Sequence, residues 1–506
     1  MADVRRLPVV VFLTGALIVA GVAGRPAGKA GDKVALTPGP APSEAPALAL
    51  SSSWFCAGGS VPGGAAPGEL LLDNVGPRII NAAVRLVSSS GRARELNLSV
   101  SSGTAQLVPE QVPAAAAAPG ATGATGASAA PWVGAMVTLY GGAASVSQVV
   151  STREGSASQP CSSSSSSQWY FPDGAALRNA SDEISLLNPY PVDAVADLSF
   201  TTEQGLEQPD AFRGVVVPAQ GLTVLDLGAH LRRRSHIAVT VTTRGGAIVA
   251  YQTELVTKPP AGAPRLGTPG ALDPVLPQPG VSLTLGAAQT STSWWWPEGA
   301  DGPGYVERYV VYNPGGGTAR LTLSLVAAGS GAGLGSASQL TVGPSSTLVV
   351  TINGQPWALP GIAYAARLRS TNGVPVVAER SVTAGAPSLY RGIGSLLGQA
   401  VPASQWLVAP NVQVLEPRIW LEVVNPGTEP AVVLVDFVSR GKREPVGGIP
   451  GLVVAAGQHA EELLSGADTD QVLVLSSSQP VLVEKDSYAA APANGVSLAP
   501  LVVLGR

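Results

Sequence analysis

The chain has little of what catalytic sites are usually built from. Its 506 residues include two cysteines, three histidines and two methionines. His230, His236 and His459 show no metal-type spacing, and so few imidazoles leave no defensible Ser, His and Asp order. Charged residues make up 13% of the chain, about half the usual quarter of a soluble protein. The net charge is −4, and the one dense basic run, Arg232-Arg233-Arg234, reads as a solvated loop, which together argue against a nucleic-acid partner. "GSGAGLGS" and "GIGSLLG" lack the Lys-Ser/Thr and strand-to-helix setting of a phosphate loop. "SRGK", from Ser439 to Lys442, has the spacing of a Ser-x-x-Lys nucleophile without its companion motifs and reads as a hairpin loop. These absences point away from an enzyme and imply no cofactor and no metal.

One long hydrophobic run stands out. Arg5 and Arg6 precede a charge-free stretch of 18 residues, Leu7–Gly24, followed by Pro- and Gly-rich sequence. That layout makes residues 1–24 either a signal peptide, with cleavage after Ala23, or an uncleaved membrane anchor through residues 7–24. Either way the rest is expected outside the cytoplasm, secreted or anchored to the cell membrane. Residues 25–50 read as a disordered linker. In such a compartment Cys56 and Cys161, which sit in no Cys-x-x-Cys or metal spacing, are expected to form a disulfide.

What is abundant is turn chemistry and repetition. Sixty Gly and 44 Pro punctuate runs rich in Val, Thr and Leu, favouring many short strands. Trp54, Trp169, Trp294 and Trp406 are followed by Asn74, Asn188, Asn313 and Asn425 after 20, 19, 19 and 19 residues. Each Asn ends an apolar run, and Pro follows it in the last three copies. Asn before Pro stops one strand and opens a turn, because Pro cannot donate to a ladder and Asn bonds its own downstream backbone. Beyond the turn the chain alternates in a fixed phase: Ala194, Ala196, Leu198 and Phe200; Ala319, Leu321, Leu323 and Leu325; Ala431, Val433, Val435 and Phe437; and Ala82, Val84 and Leu86. Period two means a strand with one buried face.

Each copy then offers two more strand-like runs and a final hairpin, about seven strands in about 100 residues. The expected fold is all-β: four tandem Ig-like antiparallel β-sandwich repeats after an N-terminal apolar helix. Their expected bounds are 51–160, 164–260, 290–386 and 402–506, with a Pro/Gly-rich linker over 261–289 and a disordered Ala- and Gly-rich tract between Pro113 and Pro131. "WYFPDG" at Trp169 and "WWWPEG" at Trp294 fall on the first strand of their repeats. The first and third aromatics should face the core and the second should face away. Trp295, with its counterparts Tyr170 and Phe55, is therefore the candidate contact for a partner protein or glycan.

The export segment, "WFC" at Trp54, "PCS" ahead of "WYFPDG" and the repeated Asn-Pro strands resemble an uncharacterised actinobacterial family of exported or membrane-anchored proteins carrying a domain of unknown function. The resemblance covers most of the chain after Ser51, rests on structural motifs and implies an envelope location without a catalytic residue. The expected role is a non-catalytic envelope protein, a row of sandwiches binding a protein partner or wall glycan. The alternative is an accessory subunit of a membrane complex that makes or exports cell-wall polysaccharide.

Overall fold

Period-two alternation becomes paired antiparallel strands. The structure, a computed structural model, describes residues 49–59, 67–113, 131–177, 179–257, 278–327, 337–411, 418–439, 441–447, 449, 451–464, 471–489 and 495–504. Within them the chain is all-β apart from two single-turn 3-10 helices, Asp210–Phe212 and Leu227–Ala229. The apolar run 7–24, most of the linker 25–50 and the tract 114–130 lie outside the described residues, so the expected N-terminal helix is not seen. Among the described residues no helix is long and apolar enough to cross a membrane.

Eight strands set the pattern: β1 (Ser52–Cys56), β2 (Glu69–Asn74), β3 (Ile80–Ser88), β4 (Ala93–Val100), β5 (Thr104–Pro109), β6 (Val133–Tyr140), β7 (Ala144–Ser151) and β8 (Ser156–Pro160). They form two sheets, β1-β6-β3-β4 and β5-β2-β7-β8. Trp54, Val84 and Val137 from the first sheet share one core with Leu70, Leu72 and Val146 from the second, which makes a β-sandwich.

The same strand order returns. In the second sheet pair the counterparts of β1, β6, β3 and β4 are Gln168–Phe171, Ile237–Gly245, Ala194–Thr202 and Gly205–Glu207. In the third they are Ser293–Trp296, Tyr364–Ser370, Ala319–Ala327 and Ala337–Val342. The last pair fuses two strands: Leu473–Tyr488 runs through both sheets, pairing first with Ala403–Val408 and Ala431–Ser439 and then with Arg418–Val424 and Val496–Pro500. The alternating residues after each Asn are buried as expected, Phe437 excepted, which is only half-buried.

Two expectations need correction. Residues 261–289 are not linker throughout, because Gly280–Leu285 pairs with Val249–Val256 and is buried at every position. It is the counterpart of β8, as are Gly392–Leu397 and Val496–Pro500, so each sandwich has an eighth strand. Nor are the sandwiches in a row. β8 packs against Gly280–Leu285 and Val496–Pro500, and Gly392–Leu397 packs against the same two, so the four eighth strands close a cycle. Ser158 N donates to Ser497 Oγ at 3.1 Å and Gln159 Nε2 to the Leu498 carbonyl at 3.1 Å, sealing the last sandwich to the first. Leu407, Val438, Val474 and Val502 add to the first sandwich's core.

Candidate functional site

The four Asn side chains are buried staples with one geometry. Each Oδ1 accepts from the amide two residues on: Gly76, Tyr190, Gly315 and Gly427, at 2.9 to 3.0 Å. Each Nδ2 donates to the carbonyl four residues on and to a strand carbonyl further along, Val100, Val217, Val342 or Val454. All four residues are fully buried. The turn bond was legible in the Asn; the long-range carbonyl was not. Satisfying three backbone groups at once locks the turn to the opposite sheet.

The aromatic stretches work as joints. Trp294 and Trp296 enter the third core, as Trp169 and Phe171 enter the second. The middle residues turn away toward the next sandwich, Trp295 buried and Phe55 and Tyr170 half-buried. Phe55 packs on the second sandwich's core, Tyr170 on the third's, and Trp295 on Val424 and Leu482 of the fourth. Trp295 is 7% exposed and Arg367 lies over its ring at 4.7 Å. The expected open aromatic contact is thereby corrected at Trp295, whose ring is enclosed between sandwiches, while Phe55 and Tyr170 remain half-buried.

At each joint the middle residue exchanges backbone bonds with the segment after the eighth strand: Phe55 with Ser162, Tyr170 with Ala287, and Trp295 with Gln399. Beside these bridges the third residue of the stretch meets a matched partner. Cys56 is bonded to Cys161, with Cα atoms 4.8 Å apart, as the sequence led us to expect. A Cβ on Gly286 would come within 2.7 Å of the Phe171 ring, and one on Gly398 within 2.9 Å of Trp296. Val408 and Leu501 share the fourth core. One slot is thus filled by Cys and Cys, Phe and Gly, Trp and Gly, or Val and Leu.

A second recurring position escaped the sequence reading. Gln148, Gln252, Arg380 and Lys485 each lie opposite the residue four before the repeat Asn. All are buried, and each bonds the turn after its own aromatic stretch: Gln148 accepts from Gly58 N, Gln252 donates to the Asp173 carbonyl, Arg380 to that of Glu298, and Lys485 to that of Ala409. Each stands among other polar residues of its strand, so no local pattern singled it out.

Around Arg380 the ionisable groups gather. Its guanidinium contacts Glu298 of its own sandwich and, at 2.9 Å each, Glu484 Oε1 and Asp486 Oδ2 of the next. Glu307 accepts from Tyr309 and Tyr364 at 2.6 and 2.9 Å. Burial pushes Glu298, Glu307 and Glu484 up to about 7 and Asp486 up to about 8, with Arg380 pulling the other way. Burial also opposes the Arg380 charge, but its carboxylates outweigh it and hold the guanidinium protonated. Oxygens of Glu298, Glu484 and Asp486 lie within 4.8 Å of one another. Arg380 already touches all three, so the geometry is that of an internal counter-ion and not of a metal centre.

The other joints carry smaller versions. Arg308 Nη2 lies 3.5 Å from Asp173 Oδ2 and donates to Ser381 Oγ at 3.2 Å. Burial opposes the Asp173 charge, yet Arg308 and His236 beside it hold its carboxyl below the usual range. At the closing joint burial raises Asp73 to about 8 and lowers Lys485 to about 8. A small depression there is lined by Ser147, Ser158, Leu407, Lys485 and Pro500. His459 Nε2 lies 2.8 Å from Glu422 Oε2, and burial drives the imidazole down to about 4 and the carboxyl well above its usual range. Of the weaker motifs, "SRGK" closes the hairpin that pairs Ser439 with Lys442, "GIGSLLG" supplies an eighth strand, and "GSGAGLGS" lies outside the described residues.

No curated relative matches the chain. Two solved structures are similar at a level that carries no argument. Thermotoga maritima 1070 is 16% identical, with a TM-score of 0.20 over 22% of this chain and 94% of that one. A tetra-tandem repeat in the extending region of a large adhesion protein is 10% identical, with a TM-score of 0.08 over 91% and 98%. A model of a family of unknown function matches residues 116–389, from the Ala- and Gly-rich tract to just before the third sandwich's eighth strand. That is more than half of the chain, which therefore belongs to the family of unknown function DUF5719.

Proposed function

We propose that the chain is one Ig-like sandwich module written four times, exported or membrane-anchored through residues 7–24, and that it serves outside the membrane as a non-catalytic ring that binds wall glycan or an envelope protein. The supporting observation is the closed cycle of eighth strands. Its joints enclose the Arg380 and Arg308 clusters, so the ionisable groups that could do chemistry are spent on holding sandwiches together. The Cys56–Cys161 bond is consistent with an oxidising location. Cross-linking of the tagged chain in intact cells, followed by mass spectrometry of captured neighbours, tests the reading. Wall glycan fragments or envelope proteins are expected. Capture of cytoplasmic neighbours alone, together with resistance to protease added outside the cells, would overturn it.

A further inference from the structure

The outer face of one sheet in the third sandwich carries three arginines with no acidic partner among the described residues. Arg367 and Arg369 alternate along Tyr364–Ser370, and Arg320 lies on the neighbouring strand Ala319–Ala327. The pairing puts them on one side: Arg369 sits beside Thr322 and Ser293, Arg367 beside Ser324 and Trp295, and Arg320 beside Thr341. Arg367 and Arg369 are two residues apart on one strand, about 7 Å between Cα atoms; Arg320 lies diagonally across from Arg369, about 8 Å away, and roughly 14 Å from Arg367. Arg320 and Arg369 are exposed and Arg367 is half-buried.

The first two sandwiches show what an ordinary version of this face looks like. There Arg85 pairs with Glu95, and Arg244 pairs with Asp197, each within its own sheet. In the third sandwich no carboxylate of the described residues lies at ion-pair distance from Arg320, Arg367 or Arg369. Arg367 Nε is buried with no hydrogen-bond partner. Burial and the neighbouring Arg369 both push the Arg367 guanidinium down, and no acid lifts it. On a chain of net charge −4 this face is a local inversion of sign.

We propose that this face binds an acidic polysaccharide, a chain of sugars carrying carboxylates at intervals. Charge complementarity supplies the attraction, and an Arg fork takes a carboxylate with two parallel hydrogen bonds. Ser293, Thr322, Gln339 and Thr341 surround the arginines with hydroxyl and amide groups suited to sugar hydroxyls. Trp295 contributes by holding Arg367 at the rim, not by stacking on a sugar.

The proposal deepens the glycan arm of the function proposed above and rests on it. Its test needs only the purified chain and polysaccharide, so a wrong location leaves it standing and its own failure leaves an envelope role open. Calorimetric titration with polygalacturonate at low ionic strength is expected to show binding that weakens with salt. Arg320→Gln combined with Arg369→Gln should keep the melting temperature, because both side chains are exposed, and weaken binding about tenfold or more. Arg244→Gln, which removes an already neutralised arginine, should leave affinity within about twofold. No binding by the wild type, undiminished binding by the double variant, or equal displacement by duplex DNA of matched charge would each overturn the proposal.

Discussion

Arg380 Nη2 donates to Asp486 Oδ2 at 2.9 Å across the joint between the third and fourth sandwiches. The bond joins the strand Val377–Ala384 of one to the long strand Leu473–Tyr488 of the next, at a depth where neither side chain meets water. One guanidinium serves three carboxyl groups there, with Glu307 also close enough to raise its affinity for a proton. Charge balance then requires that some of these acids hold protons at neutral pH.

Stability should therefore depend on pH in a defined direction. Asp73, Glu183, Glu254, Glu298, Glu307, Glu484 and Asp486 are raised to about 7 or 8 in the folded chain, mainly by burial. The folded state then binds more protons than the unfolded state between the ordinary carboxylate range, about 4, and about 8, so stability falls as pH rises through that window. His459, lowered to about 4, acts in the opposite sense below 6.5, but these carboxyls, with Glu110, Asp182, Glu379 and Glu422 also raised by burial, outnumber it. Thermal unfolding followed by circular dichroism should give a higher midpoint near pH 5 than near pH 8. A midpoint that climbs steadily over this range would mean that the buried acids are ionised in the folded state.

Arg380→Met removes the cation and keeps much of its volume. Breaking a buried ion pair from one side costs about 3–5 kcal/mol. The loss should be larger at pH 8 than at pH 5, because protonated acids need no counter-charge. Urea unfolding midpoints at the two pH values check this. An equal loss at both would assign Arg380 to packing alone.

How much of this could be read beforehand depends on what leaves a local trace. The strand after each Asn was legible because one buried face imposes period two, and the residues from Ala194 to Phe200 display it without interruption. Gly280–Leu285 was missed although Val281, Leu283 and Leu285 alternate with Ser282 and Thr284. The run is short, its Pro- and Gly-rich flank reads as linker, and its burial on both faces comes from a neighbouring sandwich that the segment itself does not reveal. The ring escaped for a related reason, since edge strands that meet across 339 residues, as Gln159 and Leu498 do, leave no pattern in either segment. Arg380 and Asp486 in isolation read as solvent-facing strand residues. Only their neighbours across the joint reveal why they are inside. Trp295 was assigned the right side of its strand and the wrong surroundings, because alternation says which way a ring points and not what it meets.

Asn313 offers a test of the staple. Replacing it with Ala leaves the carbonyls of Gly317, Val342 and Gly343 and the amide of Gly315 without their side-chain partner. Each buried group so stranded costs about 1–3 kcal/mol. Asn313→Asp keeps the acceptor for Gly315 but turns a carboxylate oxygen toward carbonyl oxygens. At neutral pH the Asp variant should be no more stable than the Ala variant, and it should improve on acidification, when the acid regains a donor. Guanidinium unfolding at neutral and mildly acidic pH distinguishes the two variants. An Asp variant as stable as wild type at neutral pH would show that only the turn bond matters.

The slot beside the first strand gives the sharpest test, because the chain itself supplies the control. Cys56 and Cys161 close a loop with a sequence separation of 105. In the chain-entropy picture this constrains the unfolded state by about 4–5 kcal/mol. Cys56→Ser with Cys161→Ser should lose that constraint and leave two small polar groups in a core where both cysteines are fully buried. Cys56→Phe with Cys161→Gly instead installs the pair used at Phe171 and Gly286, where the glycine leaves room for the ring. It should recover the packing and not the cross-link, placing its unfolding midpoint between the Ser pair and the oxidised wild type. Reduced wild type, measured beside them, separates the two contributions. If the Ser pair unfolds at the same denaturant concentration as the oxidised protein, the bond contributes no net stability, and the Phe–Gly variant then shows whether the slot needs filling at all.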